Sequence, residues 1–297
     1  MKVISSCPVC NSIDLLKSSA VVMPFITYRI FGWEPKDITA ECGLNSINCG
    51  TAHQVCASCF CLNCSLLFSD LRFDHEEMTR LYKGYRGAKY LSQRKRFEPD
   101  YEHINSYLKQ EVHYLDRVEA LITAHRAQFR RVLDWGGGDG LNTPLKASAA
   151  ELFILDISGQ INGRNTNGLN VISSLEGKTE YFDLVVAMHV FEHLSSPIEA
   201  AKLIADSLVV GGLLYLEVPL EPLMQPEGLS ESVVYKKHHW HEHINFFSSG
   251  SLAALIANAG LEQIEIGWMD VTDDFRSFQV QFAIAKKTSS LEGNAPT

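Results

Sequence analysis

The sequence predicts an α/β fold: an open, mostly parallel sheet with helices on both faces, preceded by a small cysteine-rich module and a helical connector. Three observations predict it. An apolar run, Val132-Leu133-Asp134-Trp135, ends in a packed glycine turn, Gly136-Gly137-Gly138-Asp139-Gly140. A second run, Leu152-Phe153-Ile154-Leu155, ends in Asp156. Apolar and β-branched runs then alternate with helix-length segments up to Lys286, the order expected of strands joined by crossovers. Strand, glycine turn, helix, strand and acid form the pattern of a nucleotide-type cofactor site. Glycine lets the backbone approach a ligand because no Cβ intervenes. The second acid sits where a ribose hydroxyl pair is held.

The chain has 297 residues, of which 46% are hydrophobic and 21% charged. These values suit one large globular domain or two modest ones. No apolar run approaches the ~20 residues of a membrane helix, and Met1 to Cys7 lacks a signal-peptide core. A cytoplasmic protein without a membrane partner is the expectation. The net charge of −9 is uneven: residues 1–128 hold 15 Lys/Arg against 14 Asp/Glu, and residues 129–297 hold 11 against 21. Phosphate backbones require clustered cations, so the acidic second half argues against a nucleic-acid backbone as substrate, without excluding a small phosphorylated ligand.

All eight cysteines lie between Cys7 and Cys64. In a reducing compartment such clustering points to metal rather than disulfides. Cys7-Pro8-Val9-Cys10 and Cys61-Leu62-Asn63-Cys64 are C-x-x-C pairs, each followed by a small polar residue, Asn11 or Ser65. That suits a zinc knuckle, in which the next residue takes an unusual φ. Four thiolates make a closed, structural Zn2+ site. Cys56-Ala57-Ser58-Cys59 competes with the second pair, and Cys42, Cys49 and His53 are further candidates. Between the pairs, Val21 to Phe31 is apolar and reads as a strand or a short helix.

Residues Asp74 to Gln128 turn helical. Met78, Leu81, Tyr82 and Tyr85 recur at helical spacing until Gly84 and Gly87 break it. Pro99 to Ala127 reads as one long amphipathic helix or two. Between Tyr82 and Arg94, aromatics and cations alternate around the two glycines. Tyr85, Arg86, Tyr90 and Arg94 are therefore candidate substrate-binding residues on a lid, with a solvated helix-loop-helix as the plain alternative.

Past Phe129, a helix-compatible segment runs from Leu141 to Ala149, and Leu169 to Ile172 is a short third strand. Tyr181 to His189 forms the fourth; its unbroken apolar run suits a strand buried on both faces. A helix follows from Pro197 to Val210, then a fifth strand from Leu213 to Pro219. Leu220 to Asn245 interrupts the alternation. Ser248 to Ala259 reads as a capped helix, and Leu261 to Trp268 and Ser277 to Lys286 as closing strands. The expected division is a zinc module over 1–73, a connector and lid over 74–128, a catalytic domain over 129–287 and a disordered tail over 288–297.

Taken together, Asp134 to Gly140, Asp156, Phe182 to Leu194 and Gly211 to Pro219 resemble the motifs of class I S-adenosylmethionine (SAM)-dependent methyltransferases. The resemblance implies a Rossmann-like, seven-stranded sheet with an antiparallel final strand. It places Asp134 and Gly136, Gly137 and Gly138 at the methionine part of SAM and Asp156 at the ribose. Ile157 and Ser174-Leu175 fall near the adenine, and Met188 and His189 on the cofactor's inner side. A four-cysteine module ahead of this domain is similar to sugar C-methyltransferases and to relatives in surface-polysaccharide and natural-product assembly. Their Tyr-His-Glu-His motif matches Trp240-His241-Glu242-His243 here, with tryptophan for tyrosine, and their third C-terminal domain is not expected here.

His238 to His243 holds four of the 11 histidines. SAM is already activated, so the enzyme must mainly align the acceptor and remove its proton, a task for histidine near neutral pH. His243 is the expected base, assisted by Glu242 and His241; anchoring of the following apolar segment is the plain alternative. His189, Glu192 and His193 have a milder claim, at the exit of the fourth strand. The leading expectation is methyl transfer to a small polar acceptor, anionic or nucleotide-linked. An RNA methyltransferase and a non-catalytic SAM-binding scaffold are the rivals.

Overall fold

The computed structural model describes residues 1–44, 46–107, 112–158, 168–272 and 277–289. Residues 290–297, most of the expected tail, lie outside the described residues. The N-terminal part begins with β1 (Lys2–Val3), β2 (Leu15–Val22) and the hairpin strands β3 (Lys36–Ile38) and β4 (Gly50–Ala52). It continues with β5 (Val55–Cys61), β6 (Leu67–Ser69) and β7 (Leu71–Arg72). β2, β5 and β6 form an antiparallel ladder, and β7 returns to pair with β1. The ambiguous Val21 to Phe31 stretch contains both elements. The strand ends at Val22, and Pro24 opens α1 (Pro24–Phe31), which Gly32 at φ 74° terminates.

The connector comprises α2 (His75–Tyr82), α3 (Ala88–Lys95), α4 (Tyr101–Tyr107) and α5 (Leu115–His125). α2 starts in a reciprocal cap: the Asp74 carboxylate accepts the Glu77 N–H while Glu77 accepts that of Asp74. Gly84 at φ 65° and Arg86 at φ 59° turn the chain between α2 and α3. The Pro99–Ala127 region is thus two helices.

The C-terminal part contains β8 (Arg131–Trp135), β9 (Glu151–Leu155), β10 (Leu169–Ile172), β11 (Phe182–Met188), α6 (Pro197–Ser207) and β12 (Leu208–Pro219). Next come β13 (His239–Trp240), β14 (Asn245–Phe246), α7 (Ser249–Asn258), β15 (Glu262–Thr272) and β16 (Ser277–Lys286). Seven of these strands form one sheet in the order β10-β9-β8-β11-β12-β16-β15. β8 to β12 run parallel, and β16 is antiparallel to both neighbours. This is the predicted Rossmann-like methyltransferase sheet. Leu184 to Ala187 are fully buried, as an apolar central strand requires. α7 starts at Ser248, whose hydroxyl accepts the Ser251 N–H, a cap worth about 1 kcal/mol.

Three local expectations change. Residues Leu141 to Ala149 form a chain of turns, not a helix. Pro144 interrupts the segment, Leu145 sits at φ 60°, and the Thr143 hydroxyl is committed to Asp134. α6 stops at Ser207, and β12 runs on through the two glycines. The largest change concerns Leu220 to Asn245. β13 pairs with β2 and β14 with β6, so this segment completes a five-stranded sheet, β13-β2-β5-β6-β14, with the N-terminal module. The Trp240 indole N–H donates to Ser58 Oγ at 2.9 Å, and Cys7, Cys61 and Cys64 share one core with Phe247, Leu252 and Leu255. The expected 1–73 module and the 129–287 region therefore share a sheet and a core.

Candidate active site

The parallel strands deliver Asp134 and Asp156 to one edge of the sheet. The Gly136 N–H closes the turn on the Leu155 carbonyl at 2.7 Å. A Cβ on Gly136 would lie 2.3 Å from Val190 Cγ2, and one on Gly137 would lie 2.3 Å from Asp134 Oδ2. Only glycine fits either place. Asp134 is buried and accepts the Thr143 hydroxyl at 2.5 Å. Burial pushes its carboxyl up to about 7, outweighing the Thr143 bond that pulls it down. Asp156 accepts the N–H groups of Gly138 at 3.0 Å and Ser158 at 2.7 Å, which aims its carboxylate across the turn. Ile157, Met188 and His189 line the same cavity, with Ser173 in place of Ser174 or Leu175.

At the exit of β11, His189 sits at φ 54°, a strained conformation for a residue with a Cβ and a frequent mark of functional sites. Its Nε2 lies 3.0 Å from the Tyr114 hydroxyl and 3.2 Å from Glu217 Oε1. Tyr114 and Tyr215 each donate to the fully buried Glu217 at 2.7 Å. Burial works against charge on His189, but Glu192 and Glu217 prevail and raise it to about 10. His193 is the opposite case. Burial, ahead of the pull of Glu192, lowers it to about 4. Its Nδ1 lies 3.0 Å from the Glu242 carbonyl oxygen, which can only accept. The proton therefore sits on Nδ1 and the lone pair on Nε2.

The histidine segment divides between two partners. His243 Nδ1 meets Glu221 Oε1 at 2.9 Å, and its ring packs edge-on against His193 with centroids 4.7 Å apart. Glu242 and His241 turn away from it. Glu242 accepts Arg94 Nη1 at 2.9 Å and the Tyr90 hydroxyl. His241 Nε2 donates to Glu98 Oε1 at 2.7 Å while Nδ1 lies 3.5 Å from Glu242 Oε2. Burial opposes charge on His241, yet the two glutamates raise it to about 9. The Arg94 guanidinium also binds Glu98 at 2.9 Å and lies 3.5 Å from the Tyr101 ring centroid. Glu242 and His241 thus belong to an Arg94-centred cluster and do not orient His243. Of the expected lid residues, Tyr85, Arg86 and Arg94 line the cavity, whereas Tyr90 is buried behind it as a pillar for Glu242.

One cavity of about 2420 Å³ joins the glycine turn and Asp156 to Glu192, His193, Glu221 and His243. Residues 101–266 match the family model described as a methyltransferase domain. The chain belongs to this family. It is a class I SAM-dependent methyltransferase in fold and in enzyme class. A tRNA U34 carboxymethyltransferase from Chromohalobacter salexigens is 31% identical over 157 residues, which is 46% of this chain and 46% of that protein. The methyltransferase thus spans about half the length of this curated relative. Burkholderia thailandensis 1,6-didemethyltoxoflavin-N1-methyltransferase, solved with 1,6-didemethyltoxoflavin and S-adenosylhomocysteine, shares its fold. The alignment covers 86% of this chain and 100% of that one at 14% identity, with a TM-score of 0.51. The N-methyltransferase NodS from Bradyrhizobium japonicum aligns at 14% identity over 59% of this chain and 98% of its own, with a TM-score of 0.42. Among the described residues, no helix of the methyltransferase is long and apolar enough to cross a membrane.

Away from the cavity, the sulfurs of Cys7, Cys10, Cys61 and Cys64 lie within 4.8 Å of one another. Cys7 and Cys64 are 3.6 Å apart, and Cys10 and Cys61 are 3.5 Å apart. Four sulfurs bound at about 2.3 Å to a tetrahedral ion stand about 3.8 Å apart, so the cluster fits zinc with small adjustments. Asn11 and Ser65 adopt φ 58° and 62°, as the knuckle turn requires. The N–H groups of Val9 and Cys10 point at Cys7 Sγ, and those of Asn63 and Cys64 at Cys61 Sγ. Cys59 is buried and Cys56 half-buried in β5, outside the cluster, and Cys42 and Cys49 are exposed near the β3–β4 hairpin.

Sequence reasoning overlooked Tyr114, Glu217, Glu221 and Glu98. Glu217 carried a signal, a lone acid in an apolar strand. Tyr114 and Glu98 reach the site from the connector, where no local pattern marks them.

Proposed function

We propose that this methyltransferase transfers the methyl group of SAM to a small polar acceptor, a nucleotide-linked sugar or a polysaccharide or natural-product precursor. The observation that carries the reading is the single cavity running from the glycine turn to His243. Asp156, prearranged by two backbone N–H groups, takes the ribose hydroxyls. The turn at Gly136 to Gly138 and buried Asp134 face the methionine part, and Ile157, Met188 and His189 flank the cofactor. The acceptor occupies the end lined by Tyr82, Tyr85, Arg86, Lys237 and His243. Lys237 lies over the Trp240 and Phe246 rings, 4.8 and 4.3 Å from their centroids. With Arg86 it supplies cationic character for an anionic acceptor.

Methyl transfer is an in-line displacement: the acceptor atom bonds the methyl carbon as the S–C electrons return to sulfur. His243 is the proposed base. Glu221 holds its Nδ1–H, which leaves Nε2 to take the acceptor's proton. Arg94, Tyr90, Glu242 and His241 brace the wall behind it. The four-cysteine cluster is proposed to hold one structural Zn2+, anchoring the sheet from which the histidine segment extends.

The test is His243→Ala assayed with candidate nucleotide sugars. We expect SAM affinity near wild type and turnover reduced about 100-fold or more, the usual worth of a general base. Unchanged turnover with loss of no pH dependence removes His243 from the chemistry. The tRNA-modifying relative supports a second reading, methylation of an RNA nucleotide. The excess of acids beyond residue 128 weighs against it. Methylation of tRNA but of no nucleotide sugar would favour it.

A further inference from the structure

We infer a second cation site in the acceptor end of the cavity, formed by Glu192, His193 and His243. The inference rests on the reading above only for where the acceptor lies. Its starting point is Glu192, which is 2% exposed and has no hydrogen-bond donor on either carboxylate oxygen among the described residues. His193 Nε2 at 3.6 Å and His189 Nδ1 at 3.7 Å are its polar neighbours, both too distant to bond. A buried carboxylate without a hydrogen-bond donor is suited to hold a cation. His189 lies to one side of it without a bond.

The two imidazoles are arranged as metal ligands are. His193 Nδ1 is held by the Glu242 carbonyl, and His243 Nδ1 by the Glu221 carboxylate. Fixing one ring nitrogen on a carbonyl or carboxylate while the other binds the ion is the usual outer-shell arrangement of a histidine ligand. Glu192, His193 and His243 each offer one ligand atom, all within 4.8 Å of one another. Small rotations bring such atoms to the roughly 3.3 Å spacing of donors bound at about 2.0–2.1 Å to one ion.

Two imidazoles and one carboxylate select a borderline divalent ion of the Zn2+ or Fe2+ class and leave positions open. All three residues line the cavity, so the open positions face the acceptor. An acceptor hydroxyl bound there releases its proton to solvent more readily. Its oxygen then attacks the methyl carbon, the S–CH3 electrons pass to sulfur, and the thioether product leaves. With the ion bound, His243 Nε2 is a ligand; the base role proposed above for the same atom applies only to the ion-free protein.

Co2+ titrated into the full chain, with zinc already in its four-cysteine cluster, tests the site by visible absorption and calorimetry. We expect one further equivalent to bind, giving d–d bands without thiolate charge-transfer absorption. Glu192→Gln and His193→Ala should each weaken binding at least about tenfold, and Glu221→Gln about 10- to 100-fold. One equivalent of retained zinc shows that each variant is folded. Absence of Co2+ binding to wild type, or unchanged binding in both Glu192→Gln and His193→Ala, overturns the site. Protein stripped of the added ion that still methylates at the full rate with His243 required also overturns it, while leaving methyl transfer intact. Cobalt binding in a chain that takes up no SAM would instead sink the methyl-transfer reading alone.

Discussion

Gly137→Ala probes the donor half of the cavity at one atom. The added Cβ falls 2.3 Å from Asp134 Oδ2 and 2.6 Å from its Cγ. Relief requires about 1 Å of movement, since ordinary contact between such atoms begins near 3.4 Å. Asp134 cannot swing aside, because it is 4% exposed and bound to Thr143 at 2.5 Å. The turn must move instead, and overpacking of this kind costs about 1–3 kcal/mol. Free protein can relax the turn outward, whereas bound SAM requires it in place, so the cost appears as lost affinity. At about 1.4 kcal/mol per tenfold, SAM binding should weaken roughly 5- to 150-fold. Isothermal titration of SAM reads this directly, with the thermal midpoint as a folding control. A folded Gly137→Ala protein that binds SAM within twofold of wild type would refute the placement of the cofactor on this turn.

Other expectations follow from the same geometry. Arg94 and Glu242 are 6% and 7% exposed, so Arg94→Met leaves a buried carboxylate with only Tyr90 and His241 to support it and should cost about 3 kcal/mol in denaturant unfolding. Adding Glu242→Leu should restore most of it, and a single-variant loss below about 1 kcal/mol contradicts the buried-pair argument. Asp134, raised from 3.8 to about 7, holds a proton in the free protein below that pH. Its raised value means that it lowers stability progressively as pH climbs from 3.8 through 7. Cationic SAM favours the ionised form, so SAM affinity should rise with pH through about 7 and binding below it should release a proton. Calorimetry in buffers of different ionisation enthalpy measures that release, and pH-independent binding excludes it. Cys61→Ser should reduce zinc from one equivalent to less than half, by metal analysis of chelator-free preparations.

The sheet was legible because its strands obey simple rules. β8, β9 and β11 are unbroken apolar runs, and the acids and glycines at their ends must leave the sheet on one side. The knuckles were legible for a similar reason: spacing, with Asn11 and Ser65, specifies the turn. The partner of His243 was not legible. Adjacent Glu242 looked like its orienting acid, but the chain bends at residue 242, Arg94 captures Glu242 and Glu221 takes its place. Nor was the role of Leu220 to Asn245, because pairing with β2 and β6 is non-local and leaves no local pattern. The Leu141–Ala149 helix failed because Pro144, legible as a breaker, outweighed the apolar spacing, and the demand of Asp134 on Thr143 leaves no local pattern.

The five-stranded sheet also dictates an order of events during synthesis. Val21 pairs with His239 and Leu67 with Phe246. Both outer ladders therefore stay open until Phe246 has left the ribosome, and pairings so distant in sequence form slowly. Until then β2 and β6 present bare edges, the kind that recruits strands from other molecules. The knuckles at Cys7 and Cys61 can close much earlier, as soon as Cys64 emerges. Early closure there would hold the unfinished sheet in register and shorten the time its edges are exposed. The histidine segment is the last strand material of this five-stranded sheet to arrive, so this wall of the cavity is completed only when β13 and β14 close on β2 and β6.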